Sequence, residues 1–156
     1  MHMDIRNAVA ADVAGLEAVV ASSELFPPAY LAEMMADYLT NPQTAEAWFA
    51  AVANGQLVGV AYCAPEKFTE GTYNLYAIGV LKAQQGQGVG RGLMAHVEQW
   101  LQAQGQRLLL VETSGDAQFA LTRQFYLKLG YHHEATIRDF WQAGEDKWVF
   151  WKKLSY

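Results

Sequence analysis

The chain has 156 residues with 11 Lys+Arg against 16 Asp+Glu, a formal charge of -5, and an acidic chain lacks the cationic surface that duplex nucleic acid demands, so no nucleic-acid partner is expected. A hydrophobic share of 52% with 17% charged residues supplies one sizeable core, and the length suits a single domain over residues 1–156. Apolar runs such as 47–53 and 108–111 fall far below the roughly 18 residues of a membrane span, which predicts a soluble protein with no membrane partner.

Cys63 is the one cysteine and stands in the apolar run Val60-Ala61-Tyr62-Cys63-Ala64, which marks it as a buried structural thiol. The N-terminal residues Met1-His2-Met3-Asp4-Ile5-Arg6 carry neither the basic nor the apolar segment of a secretion signal, and this points to a cytoplasmic protein.

Residues 3–7 form a short strand. Asp12 then precedes Val13, Leu16, Val19 and Val20 at helical spacing, predicting a helix to about Ala21. A loop follows over 22–27, and Pro28 suits the first position of a second helix whose Leu31, Met34, Met35, Tyr38 and Leu39 repeat until Asn41-Pro42 stops it. Residues 46–53 and 56–64 are apolar runs rich in Val and aromatics, and the Asn54-Gly55 between them predicts an antiparallel hairpin.

Residues 72–81 read as another strand, after which the period changes: Val89, Leu93, Val97, Trp100 and Leu101 share one helical face up to Gly105. A strand at 108–113 precedes a helix over about 117–129. Residues 132–140 and 147–154 close the chain as a strand pair joined across Gln142-Ala143-Gly144-Glu145. There is no repeat and no linker, so the pattern is one mixed α+β domain with a parallel crossover inside a mostly antiparallel sheet.

Between strand and helix stands Gln85-Gly86-Gln87-Gly88-Val89-Gly90-Arg91-Gly92, with a glycine at every second position. Glycines permit tight turns and close approach of backbone to ligand, and the free N–H groups of the helix start attract phosphate, which makes this an anion site. A nucleotide P-loop needs a Gly-Lys pair, and the chain has none. The dinucleotide spacing Gly-x-Gly-x-x-Gly also fails, because its third glycine falls on Arg91 or Leu93; Glu112 mimics the ribose-binding acid of such folds, but the turn before the loop is too long. An oxidoreductase using a nicotinamide dinucleotide is accordingly a poor third reading.

The segment Gln85-Gly86-Gln87-Gly88-Val89-Gly90 resembles the Gln/Arg-x-x-Gly-x-Gly/Ala signature of the GNAT family of N-acetyltransferases, and Tyr126-Leu127-Lys128-Leu129-Gly130-Tyr131 resembles that family's Tyr-x-x-x-Gly-Phe/Tyr segment. The order of strands and helices is similar throughout. The resemblance implies a GNAT-like fold, a twisted and mostly antiparallel sheet of about seven strands with about four helices. It implies acetyl-CoA as the donor and an N-acetyltransferase that passes the acetyl group to a primary amine of a small molecule or peptide by direct attack in a ternary complex. The alternative is a non-catalytic module that binds or senses acyl-CoA. A homodimer is compatible with the family.

By the same resemblance, Gln85, Gly86, Gln87, Gly88, Val89, Gly90 and Arg91 surround the pyrophosphate, and main-chain groups of Ile78, Gly79 and Val80 pair with the pantetheine arm and supply the oxyanion donor. Tyr126 matches the tyrosine that gives a proton to the departing thiolate; a phenol of ordinary pKa ~10 facing a thiol of ~8.5 suits that task. Tyr126 also reads as a core aromatic beside Phe125. Glu112 is the first choice of general base, as a charged residue ending an apolar strand, with Glu24, Glu70, Tyr73 and Asp139 bordering the acceptor side. The family often has Asn seven residues before its tyrosine; here Phe119 stands there, and Ser114 or Thr122 takes over the cofactor contact.

The loop at 24–30 and the aromatics Phe140, Trp141 and Trp148 frame the acceptor side in such a fold, where an apolar body with an amine suits aromatic faces and carboxylates; a rich core or a dimer surface accounts for the same residues. His132 and His133 are adjacent on a strand and point to opposite faces, and no metal is expected.

Overall fold

Asn54 and Gly55 take left-handed backbone at φ 51° and 75°, the geometry of a type I′ turn whose twist matches that of the strands it joins. The turn closes the hairpin of β2 (Ala47–Ala53) and β3 (Gln56–Pro65), with Ala53 opposite Gln56. In this computed structural model, which describes residues 2–154, the hairpin belongs to a seven-stranded sheet with the hydrogen-bonded order β1-β2-β3-β4-β5-β7-β6. The other strands are β1 (Met3–Asn7), β4 (Thr72–Val80), β5 (Leu108–Ser114), β6 (His132–Gln142) and β7 (Glu145–Lys153). Among the described residues the α-helices are α1 (Val13–Ser23), α2 (Leu31–Thr40), α3 (Val89–Ala103) and α4 (Ala120–Lys128). None of them is long and apolar enough to cross a membrane.

The contacts divide the chain into two compact units, one holding the chain up to Ala64 with Tyr76–Trp100, the other Pro65–Leu75 with the chain from Leu101 onward. In the first unit the period-2 alternation of β2 feeds two different layers. Trp48 and Ala50 join Leu16, Val19 and Val20 of α1 and Leu31 and Met35 of α2 in one cluster. Phe49 instead meets His96 and Trp100 of α3 edge-on, at 5.1 and 5.6 Å between ring centres. Gly59 lets α3 approach, since a Cβ there would lie 2.9 Å from both Leu93 Cδ1 and Val89 Cγ1. Cys63 is fully buried, and burial pushes its thiol up to about 12.

In the second unit β4 and β5 run parallel from Thr72 opposite Leu108 to Leu75 opposite Val111. Strand β7 lies antiparallel to β5, from Leu108 opposite Lys153 to Ser114 opposite Lys147. Strand β6 pairs with β7 and is exposed at every position, with register shifts between His133 and Ala135 and between Ile137 and Gln142.

Several boundaries differ from the sequence expectation. A 3-10 turn at Ala10–Asp12 precedes α1, because the Asp12 carboxylate accepts from Val9 N–H (2.8 Å) and grips Arg6 (2.7 and 3.0 Å). Helix α1 runs on through Ser22 and Ser23, the Ser23 hydroxyl donating to Val19 O at 2.8 Å. Pro28 opens a 3-10 turn, Pro28–Tyr30, that leads into α2. The last hairpin is tighter than expected, with Gln142 directly opposite Glu145.

Candidate active site

The glycine loop is built from two conformational solutions rather than one. Gly86 and Gly88 sit at φ 78° and 88° with nothing within 4 Å of where a Cβ would stand, so at these two positions glycine is required by the backbone and the space above them is open. Gly92 is a packing glycine, whose Cβ would fall 2.6 Å from Met3 Cε of β1. The first regular bond of α3 runs from Gly92 N–H to Gly88 O at 2.9 Å, and the amides of Val89, Gly90 and Arg91 are therefore those a helix start leaves without an intrahelical partner. The Val89 side chain is buried in the core below while its amide remains at the helix start. Arg91 and Gln87 are exposed. Successive amides at a turn of this kind, on a helix of 15 residues, make a concavity suited to phosphate oxygens.

Other contacts within the same unit hold the loop in place. Gln85 Nε2 donates back to Val80 O at 3.3 Å, and Lys82 N–H donates to Ser22 Oγ at 3.0 Å. Glu24, in left-handed backbone at the end of α1, lies 3.8 Å from Lys82 Nζ on the surface. Gly79 is buried close against α1, where a Cβ would meet Ser23 Oγ at 2.7 Å, and Ile78 and Val80 flank it half-buried. Strand β4 thus continues through Ile78, Gly79 and Val80 beyond the four residue pairs of its parallel ladder.

In the second unit, Gly130 at φ 91° reverses the chain after α4, and Tyr131 N–H donates to Tyr126 O at 3.1 Å. This is the reason for glycine in the Tyr-x-x-x-Gly-Tyr segment, since the reversal brings the Tyr131 ring to 5.8 Å from that of Tyr126. Phe125 and Phe150 complete the cluster at 5.1 and 5.6 Å. Tyr126 is 3% exposed, and burial pushes its hydroxyl above the usual tyrosine range. The aromatic neighbours account for where the ring sits.

Glu112 on β5 pairs with Lys147 on β7, Oε1 to Nζ 3.2 Å. Lys147 is the residue that sequence reasoning missed. Its side chain is 9% exposed, and its ammonium also stands 3.8 Å from the centre of the Phe140 ring. The sequence carried no signal for it, because Trp148, Val149, Phe150 and Trp151 are apolar in succession and leave β7 without an alternation that would mark Lys147 as buried. The Ser114 hydroxyl donates to Glu145 Oε2 at 2.6 Å and accepts from Asp116 N–H at 3.1 Å, and Arg123 ties the carbonyls of Ser114 and Asp116 together (2.8 and 2.7 Å). Tyr73 is buried, while Glu70 and Thr122 are exposed and Phe119 half-buried. Asp139 serves its own turn, with Oδ1 accepting from Gly144 N–H at 2.9 Å. Trp148 lies between partners, with the His133 ring stacked at 3.6 Å and the Arg123 guanidinium at 5.0 Å.

Comparison with known proteins bears on this arrangement. The Acetyltransferase (GNAT) family matches residues 17–131. A protein of Desulfovibrio desulfuricans assigned to the GNAT family is 32% identical and superposes with a TM-score of 0.90, covering 99% of this chain and 100% of its own. The ribosomal-protein-S18-alanine N-acetyltransferase of Escherichia coli shares the fold at 20% identity and TM-score 0.81, over 99% of this chain and 96% of its own. So does YncA of Salmonella typhimurium, solved with its cofactor acetyl-CoA, at 19% identity and TM-score 0.77, over 100% of this chain and 96% of its own. No curated protein matches in sequence.

Proposed function

The chain belongs to the GNAT family of acetyltransferases, and from that premise we propose that residues 1–156 form one catalytic domain of a cytoplasmic enzyme that transfers the acetyl group of acetyl-CoA to a primary amine of a small molecule or peptide, by direct attack in a ternary complex. The observation that carries the proposal is the open cradle at Gly86 and Gly88, continuous with the unpaired amides that begin α3. A Cβ at either glycine would fill that space, and the donor set is wholly N–H, which fits pyrophosphate oxygens.

In this reading the amides of Gly86, Gln87, Gly88, Val89, Gly90 and Arg91 hold the phosphates, the Gln85 N–H being engaged with Lys82 O at 3.3 Å, and the Arg91 guanidinium adds positive charge at the rim. Main-chain N–H and C=O groups of Ile78, Gly79 and Val80, on the stretch of β4 past its ladder, hold the pantetheine arm and donate to the acyl carbonyl oxygen as it gains charge. Acetyl-CoA supplies the activated thioester. The Tyr126 hydroxyl, protonated at neutral pH as any phenol is and raised further by burial, provides the proton that the leaving sulfur takes.

Glu112 accepts the proton of the incoming ammonium, and Lys147, at 3.2 Å, orients its carboxylate. Because its hydroxyl is engaged with Glu145 and Asp116, Ser114 shapes the turn between β5 and α4 rather than meeting the cofactor directly.

The test is thiol release from acetyl-CoA in the presence of a panel of primary amines. The proposal expects amine-dependent release that falls in Tyr126→Phe. Tight acetyl-CoA binding with no turnover on any amine, unchanged by Tyr126→Phe, would instead establish a binding module.

A further inference from the structure

Two buried polar atoms of the first unit have no hydrogen-bond partner among the described residues: Glu46 Oε2 and Trp48 Nε1. A buried acceptor and a buried donor left unsatisfied two residues apart are costly, and in a native fold such a pair calls for a reason. Glu46 directly precedes β2 and Trp48 is its second residue, so both side chains leave the same face of the sheet. Trp48 lies opposite Tyr62 of β3 with the rings stacked at 4.2 Å and 8°. The Tyr62 ring is 5.7 Å from that of Tyr76 on β4. Burial raises the Tyr62 hydroxyl to about 12, helped by the charge of the Glu46 carboxylate and a hydrogen bond to it, so the Tyr62 hydroxyl lies beside that carboxylate and Oε2 is the oxygen left unsatisfied.

The three rings form a graded series from solvent inward, Tyr76 being 52% exposed and Trp48 not exposed at all, with the carboxylate beside them. No cation pairs with Glu46 among the described residues. Aromatic faces and an unsatisfied carboxylate oxygen attract an ammonium, and an indole N–H seeks an oxygen.

We propose that Glu46, Trp48, Tyr62 and Tyr76 form a seat for the acceptor, selective for a primary ammonium that carries an oxygen acceptor close by, as an α-amino amide or a free peptide N-terminus does. The ammonium donates to Glu46 Oε2 against the tyrosine faces, and the neighbouring oxygen accepts from Trp48 Nε1. Entry is past the half-exposed Tyr76, whose side chain turns aside on binding. The assignment of this ligand as the acceptor rests on the acetyl-transfer reading; the seat itself does not.

The probe is glycinamide, with butylamine as the control that has the ammonium and no oxygen. The readout is the indole N–H resonance of Trp48, identified among the five tryptophans by its loss in Trp48→Phe. Glycinamide should move this resonance saturably, whereas butylamine and the Glu46→Gln variant should each require about tenfold more ligand. A Trp48 resonance unmoved by glycinamide, or equal titrations in the wild type and Glu46→Gln, would overturn the seat. Because this readout needs no turnover, a shift without acetyl transfer would sink the transferase reading and leave the seat standing. Turnover without a shift would do the reverse.

Discussion

Lys147 Nζ lies 3.2 Å from Glu112 Oε1 and 3.8 Å from the centre of the Phe140 ring, so an almost fully buried ammonium is satisfied by one carboxylate and one aromatic face. Removing the cation leaves Glu112 without its partner on a strand that is only partly wetted. Lys147→Met should therefore cost about 1–3 kcal/mol in urea unfolding, less than a fully buried pair because Glu112 keeps contact with water. Glu112→Gln should lower kcat about 100-fold with little change in acetyl-CoA affinity; an unchanged kcat would remove Glu112 from the reaction.

Tyr126 gives a sharper separation of packing from chemistry. Its ring packs against Phe125, Tyr131 and Phe150, and Tyr126→Phe retains all three contacts. Stability should stay within about 0.5 kcal/mol, while kcat falls by about 100-fold or more. A variant as active as the wild type would make Tyr126 a core residue only.

The Arg6 and Asp12 pair predicts a pH dependence. The hydrogen bonds from Arg6 and from Val9 N–H hold the Asp12 carboxyl below the usual aspartate range. A depressed folded pKa means the stabilisation is complete above the unfolded pKa and fades as pH falls through the folded one. Asp12→Asn should be less stable than the wild type by about 1–2 kcal/mol at pH 7, and the gap should close as the pH drops below the ordinary aspartate range. A gap that persists at pH 2 would mean that shape, not charge, is what Asp12 contributes.

The parts of the fold and site that were legible in the sequence are those governed by local rules. Asn54-Gly55 dictates its turn because few other residue pairs accept left-handed backbone twice in succession. The period change after β4 announces α3, and the glycine loop with Tyr126 announces the family. Tertiary placement was not legible. That Gly92 packs on Met3 while Gly86 and Gly88 stay open depends on where β1 lies, and no spacing within the loop encodes it. Lys147 reads as an ordinary surface lysine until β5 is set beside β7. Glu46 and Trp48 read as strand residues, since an unsatisfied atom exists only once its surroundings are known.

Cys63 offers a check on the core of the first unit. Fully buried, with its thiol raised to about 12 by burial, it carries almost no thiolate at neutral pH. Native protein should not react with an aromatic disulfide reagent over hours, and should release one equivalent of chromophore in denaturant. Rapid labelling of the native protein would contradict the packing of β3 described above.

The central claim is that the loop at Gly86 and Gly88 is the seat of acetyl-CoA, and calorimetric titration of the wild type and Gly88→Val addresses it directly. The account predicts one saturable site of about micromolar affinity, near -8 kcal/mol, and at least about a tenfold loss in Gly88→Val, whose side chain meets both the φ of 88° and the space meant for phosphate. Equal affinity in the two proteins, or no binding of acetyl-CoA by a folded wild type, would contradict it.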